Sequence, residues 1–88
     1  MSKKLSEFLK SARLDAGLIQ GEVAKHLGYS SAQFVSNWER GLVTPPLGSL
    51  GIIMKLYKVK PDILINLMLS EYESELRHAI EPKKKSKK

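Results

Sequence analysis

The sequence predicts an all-α domain of five helices. Apolar residues recur at steps of three and four, no window sustains the alternation of a strand, and Gly or Pro punctuates the chain between periodic runs. Leu5, Phe8, Leu9, Ala12 and Leu14 make the apolar side of a first helix that ends near Gly17. A second helix covers about residues 20–27. Ser30 or Ser31 is placed to cap a third, which ends near Arg40 with Gly41 just past its C-terminus. Ser30 with Gln33 three residues on also fits a capping box. Thr44-Pro45-Pro46 forces an extended connection. Leu47, Leu50, Ile53, Met54, Leu56 and Tyr57 form a fourth helix, in which Gly48 and Gly51 each cost about 1 kcal/mol relative to Ala. Lys60-Pro61-Asp62 opens a fifth, with Pro61 at the favoured first helical position, and Pro82 stops it after Glu81.

Composition narrows the function classes. A chain of 88 residues has room for one domain. The absence of Cys removes disulfides and thiolate metal sites, and fits a reducing compartment. No run reaches the ~18–20 apolar residues of a membrane span, and the N-terminus lacks the apolar region of a signal peptide. A cytoplasmic protein is expected. Residues 1–60 hold nine Lys/Arg against four Asp/Glu, whereas residues 61–82 hold one Arg against five acids. Five lysines follow in residues 83–88, a tail expected to be disordered. A basic body with an acidic fifth helix suggests that the first four helices face a polyanion; solvated faces are the plainer alternative.

The segment from Gln20 to Gly41 is the most informative. Ala24 supplies the small side chain that lets a second helix cross close to a third, and Gly28 tolerates the positive φ of the turn between them. Val23, Leu27, Val35 and Trp38 then close the underside. Such a helix-turn-helix corner exposes the outer face of its second helix, the face that can enter the DNA major groove.

Leu9, Arg13, Gly17-Leu18, Gln20, Glu22-Val23-Ala24 and Leu27-Gly28, followed by Val35-Ser36 and Trp38-Glu39-Arg40-Gly41, resemble the Cro/phage-repressor, or xenobiotic-response-element, type of helix-turn-helix domain. Pro46-Leu47, Leu50, Ile53, Leu56 and Val59 are similar to its fourth helix and the start of its fifth. The resemblance covers roughly residues 5–69. It implies a compact five-helix lambda-repressor-like fold and a two-fold dimer on a palindromic operator. Two departures stand out. Gly28 to Val35 is seven positions where the family pattern has six, so an extra residue sits within 29–32, in the turn or at the start of the third helix. The loop after Gly41 carries Leu42-Val43 where the family often has a basic or polar residue.

Roles follow from position and donor chemistry. The resemblance implies that Gln20 points at a phosphate from the second helix; the alternative is a plain exposed Gln. Gln33 and Asn37 share one face of the third helix, and both amides suit adenine N6 and N7, unless Gln33 serves the capping box. Ala32 is placed for a thymine methyl and Ser36 for a base. Ser31, Tyr29 and Arg40 are assigned to phosphates. Arg13 and Glu39 resemble the family's internal ion pair, and Trp38 its core aromatic. His26 and His78 have no ligand constellation, so neither a metal nor a cofactor is expected.

An enzyme is not expected. No nucleophile elbow, phosphate-cradling glycine loop or Cys nucleophile is present, Glu71, Glu73 and Glu75 read as a solvated face, and the domain has little volume for a cleft. No small-molecule effector site is evident. Ile65, Leu69, Tyr72, Leu76 and Ala79 or Ile80 repeat at steps of four and three, a short coiled-coil seam. Ile63, Leu64, Leu67 and Met68 are expected in the core. The seam then needs a partner, in the first place another copy; the alternative is that residues 70–81 fold back on their own domain. The expected organisation is a DNA-binding domain over 1–69, a dimerising helix extension over 70–82 and the tail 83–88. The expected function is a homodimeric regulator of bacterial or phage type that binds double-stranded DNA and represses by occluding a promoter. One alternative is an antitoxin-like or adaptor protein holding a partner through the fifth helix. Another is a low-specificity nucleoid-type binder using the lysine tail.

Overall fold

A computed structural model describes residues 3–81 of the chain. Five helices follow one another: α1 (Lys3–Asp15), α2 (Gln20–His26), α3 (Gln33–Glu39), α4 (Leu47–Tyr57) and α5 (Pro61–Ile80). No strand occurs among the described residues. The all-α, five-helix fold is the one expected.

Local backbone chemistry sets the helix ends. After α2, Gly28 sits at φ +80°, Tyr29 N–H donates to Ala24 O at 2.9 Å and Gly28 N–H to Lys25 O at 3.1 Å. This pair of bonds satisfies carbonyls the helix would leave bare. The same two-bond closure ends α1 at Gly17 and α3 at Gly41. At α4 the left-handed position falls to Lys58, φ 57°, with Val59 N–H donating to Met54 O at 3.1 Å. A side chain there is strained by about 1–2 kcal/mol. Pro46 and Lys60, both extended, lead into α4 and α5, and Pro61 occupies the first turn of α5.

The core forms where α1 packs on α3, α4 and α5, and α2 packs on α3 and α4. Leu5 and Leu9 from α1, Val23 from α2, Val35 and Trp38 from α3, and Ile53 from α4 are essentially sealed from solvent. Burying each contributes roughly 1.5–3 kcal/mol. Ala24 is buried at the crossing of α2 and α3, where a larger side chain would push the helices apart.

Several expectations need correction. Leu14 is exposed: the inward stripe of α1 runs Leu5, Leu9, Ala12 and Arg13, so a charged residue takes the position that apolar content assigned to Leu14. Ile63 is exposed as well, because the buried stripe of α5 follows Leu64, Leu67, Met68 and Glu71. Glu71, expected on a solvated face, is only 2% exposed. It lies two helical turns beyond Leu64 on the same face, and it is not without an interaction partner there. Ser30 does not cap α3. That helix starts at Gln33 after Ala32, Ser31 Oγ accepts from Gln33 N–H at 3.3 Å, and the Gln33 side chain goes elsewhere. The extra residue is therefore absorbed in the turn. A capping-box half appears instead on α2, where Glu22 Oε1 accepts from Ile19 N–H at 2.9 Å.

From Tyr72 to Glu81 every residue of α5 is exposed. Beyond Glu71 the helix does not fold back onto the described domain. The lysine tail and Pro82 lie outside the described residues.

Candidate nucleic-acid interface

At ~100° per residue, Val35 and Trp38 point to one side of α3 while Gln33, Ser36, Asn37 and Arg40 point to the other. Val35 and Trp38 are buried; Gln33 and Arg40 are exposed, and Ser36 and Asn37 half-buried. The outer face is thus wholly polar and carries no carboxylate. Its side chains are already tied together. Gln33 Nε2 donates to Asn37 Oδ1 at 3.0 Å, and Arg40 Nη2 donates to the same oxygen at 2.7 Å. Among the described residues Arg40 has no ion-pair partner.

Beneath this face lies the ion pair that fixes α3 against α1. Arg13 Nε donates to Glu39 Oε2 at 2.6 Å and Nη2 to Oε1 at 3.0 Å, a two-pronged contact with side-chain exposures of 8% and 3%. Arg13 Nη1 also donates to Leu18 O at 2.8 Å. The hydrogen bond to Glu39 raises the guanidinium's pKa above its usual value, against the opposing effect of burial. Gln20 Nε2 donates to Glu39 Oε1 at 2.9 Å. One Gln20 N–H therefore braces the first turn of α2 on α3, and the other stays available to an anion. Tyr57 lies within electrostatic reach of this pair; its hydroxyl is buried with no hydrogen-bond partner among the described residues, and burial pushes its pKa up to about 12.

The other predicted residues flank the corner. Ala32, half-buried, is the residue before α3, and Ser31 is exposed in the turn. Tyr29 is half-buried: its ring tilts against Phe34 at 4.8 Å and stands edge-on to Trp38 at 6.2 Å. Sequence reasoning missed Phe34, which is 53% exposed at the flank of the polar face. Its phase, off the Val35/Trp38 stripe, was the available signal. Sequence reasoning put Gln33 and Asn37 on one face but kept Arg40 apart from them, although its spacing of three from Asn37 puts it within bonding reach. Leu42 and Val43 are exposed in the loop after Gly41.

Elsewhere, Ile65, Leu69, Tyr72, Leu76 and Ile80 are all exposed. An apolar groove of about 320 Å³ between α4 and α5 adjoins this stripe, sharing Ile65 and Leu69 with it and adding Leu47, Leu50 and Met54. A shallow hollow of about 580 Å³ beside Phe8, Asp15, Tyr57 and Lys60 is open to solvent. No cluster of three metal-ligating side chains occurs among the described residues. None of their helices is long and apolar enough to cross a membrane.

A crossed helix pair with a buried underside and a polar, acid-free outer face defines a helix-turn-helix module. Residues 9–64 match the family model described as Helix-turn-helix, and the chain belongs to that family, of the Cro/C1 type. Its members are DNA-binding regulators. No match was found among curated proteins or solved structures.

Proposed function

We propose that the protein is a homodimeric, sequence-specific regulator that binds a palindromic operator in double-stranded DNA and represses transcription by occluding a promoter in the cytoplasm of a bacterial or phage-infected cell. The observation that carries this reading is the acid-free polar face of α3, Gln33, Ser36, Asn37 and Arg40, opposite the buried Val35 and Trp38. Hydrogen-bond donors and amide groups on a helix of this width suit base edges in the major groove. Ala32 adds an apolar contact at its start. Gln20, Ser31 and Tyr29 flank the face, where the DNA backbone would run, and fix register rather than sequence.

The exposed stripe of α5 supports a second copy as its partner. An apolar row from Ile65 to Ile80 is self-complementary about a two-fold axis, and the adjoining groove extends it onto α4. A dimer through α5 sets two α3 helices one DNA turn apart, about 34 Å. In-vitro selection from random duplex DNA tests the reading, with a Gln33→Ala/Asn37→Ala variant alongside. A two-fold motif that blurs in the variant is expected. Salt-sensitive binding without enrichment refutes it and transfers weight to a nucleoid-type or adaptor role.

A further inference from the structure

We propose that Arg40 is the residue that selects a guanine in the operator, and that Asn37 is its positioning residue. The inference rests on the DNA-binding reading above and adds the base chemistry that the face prefers. Asn37 Oδ1 accepts from Gln33 Nε2 at 3.0 Å and from Arg40 Nη2 at 2.7 Å. An amide oxygen has two lone pairs, so both are occupied. Asn37 then offers a base only the N–H groups of Nδ2, and the acceptor-plus-donor pairing with adenine is closed to it while the bonds hold. Gln33 keeps its own acceptor and one N–H, and so retains the adenine pairing.

Arg40 is placed differently from an ordinary surface arginine. Its guanidinium bonds to a neutral amide and has no ion-pair partner among the described residues, so its charge is not neutralised. The bond to Asn37 holds it at the outer face. Its remaining donors form a planar fork, the shape that matches O6 and N7 of guanine. The sequence assigned Arg40 to a phosphate; its tether to the centre of the polar face points to a base edge instead.

The test is selection from random duplex DNA with the wild-type protein and the Arg40→Ala, Arg40→Lys and Asn37→Ala variants. Competition binding follows on the selected site, with 7-deazaguanine replacing each motif guanine in turn. The wild type is expected to select a guanine in each half-site. Arg40→Ala should lower discrimination at that position by about 5- to 150-fold. Arg40→Lys, which lacks the fork, should recover only part of it. Asn37→Ala should weaken preference at the same position while the rest of the motif persists, an effect that loss of fold would not produce. Loss of N7 through 7-deazaguanine should weaken the wild type but leave Arg40→Ala unchanged. A motif whose base preferences survive Arg40→Ala, with affinity reduced alike on all sequences and the salt slope lowered by about one, assigns Arg40 to a phosphate and overturns the inference. Absence of any wild-type motif overturns instead the reading beneath it.

Discussion

Replacing Glu39 by Ala should destabilise the domain more than any change to its surface charges. Among the described residues Glu39 is the one carboxylate bonded to the Arg13 guanidinium, and the two side chains are only 3% and 8% exposed. Removing one partner of a buried pair leaves an uncompensated charge and costs about 3–5 kcal/mol. Loss of the bond from Gln20 to Glu39 Oε1 adds about 0.5–1.5 kcal/mol. A chain of 88 residues has a total stability of about 4–13 kcal/mol at typical values per residue. The substitution therefore removes about a quarter of it or more, and Tm should fall by about 4–8 °C for each kcal/mol lost. Urea unfolding followed by the fluorescence of Trp38, the single Trp and 1% exposed, measures the loss directly. Arg13→Met and the Arg13→Met/Glu39→Ala double variant complete a cycle, in which the double variant should be more stable than Glu39→Ala. Exposed pairs supply the contrast: Arg77 bonds Glu73 at 3.0 Å and Glu81 at 2.8 Å, with all three side chains about 60% exposed. Glu73→Ala should cost less than about 1 kcal/mol, and less still at high salt. A cost below about 1 kcal/mol for Glu39→Ala, or a coupling energy near zero, would refute the claim that this pair locks α3 to α1.

Other expectations follow from single residues. Tyr57 ionises near pH 10 when unfolded but only at about 12 when folded, so its contribution is complete below pH 10 and is lost as pH rises toward 12. Tyr57→Phe should flatten that alkaline limb in urea unfolding across pH 8–12. At pH 7 it should leave stability equal or raise it by about 1 kcal/mol, because the hydroxyl it deletes is buried without a hydrogen-bond partner among the described residues. Lys58→Gly relieves a left-handed side chain worth about 1–2 kcal/mol. After the added unfolded-state entropy of Gly, a net gain of roughly 0.5–1 kcal/mol should appear as a raised Tm. Leu69→Glu/Leu76→Glu alters exposed α5 positions, so thermal unfolding should change little while light scattering reports a shift from dimer to monomer. An unchanged mass would remove α5 as the dimer contact.

Much of the fold was legible because the signals are local. Each Gly that ends a helix does so through its own φ and two nearby backbone bonds, and each Pro acts through its own ring. Lys58 escaped notice because nothing in a lysine announces a left-handed backbone; the chain direction between α4 and α5 imposes it. Helix phase was legible in the same way for Val35 and Trp38 but misled at Leu14 and Ile63, where hydrophobicity was weighed above spacing. Spacing alone would have put Arg13 and Glu71 on the inward stripes. A charged residue is discounted there unless its partner is known, and Glu39 lies 26 residues from Arg13.

The sequence by itself determined the helix order, the corner at Gly28 and the polar character of α3, since propensity, turn chemistry and a 3.6-residue period act over a few neighbours. Only the tertiary structure decided that Gln20 braces Glu39, that Asn37 Oδ1 is shared by Gln33 and Arg40, and that α5 beyond Glu71 stands clear of its domain. Those outcomes depend on which donors come within 3 Å of which acceptors and on which apolar faces find cover, quantities fixed by packing rather than by any one residue's preference.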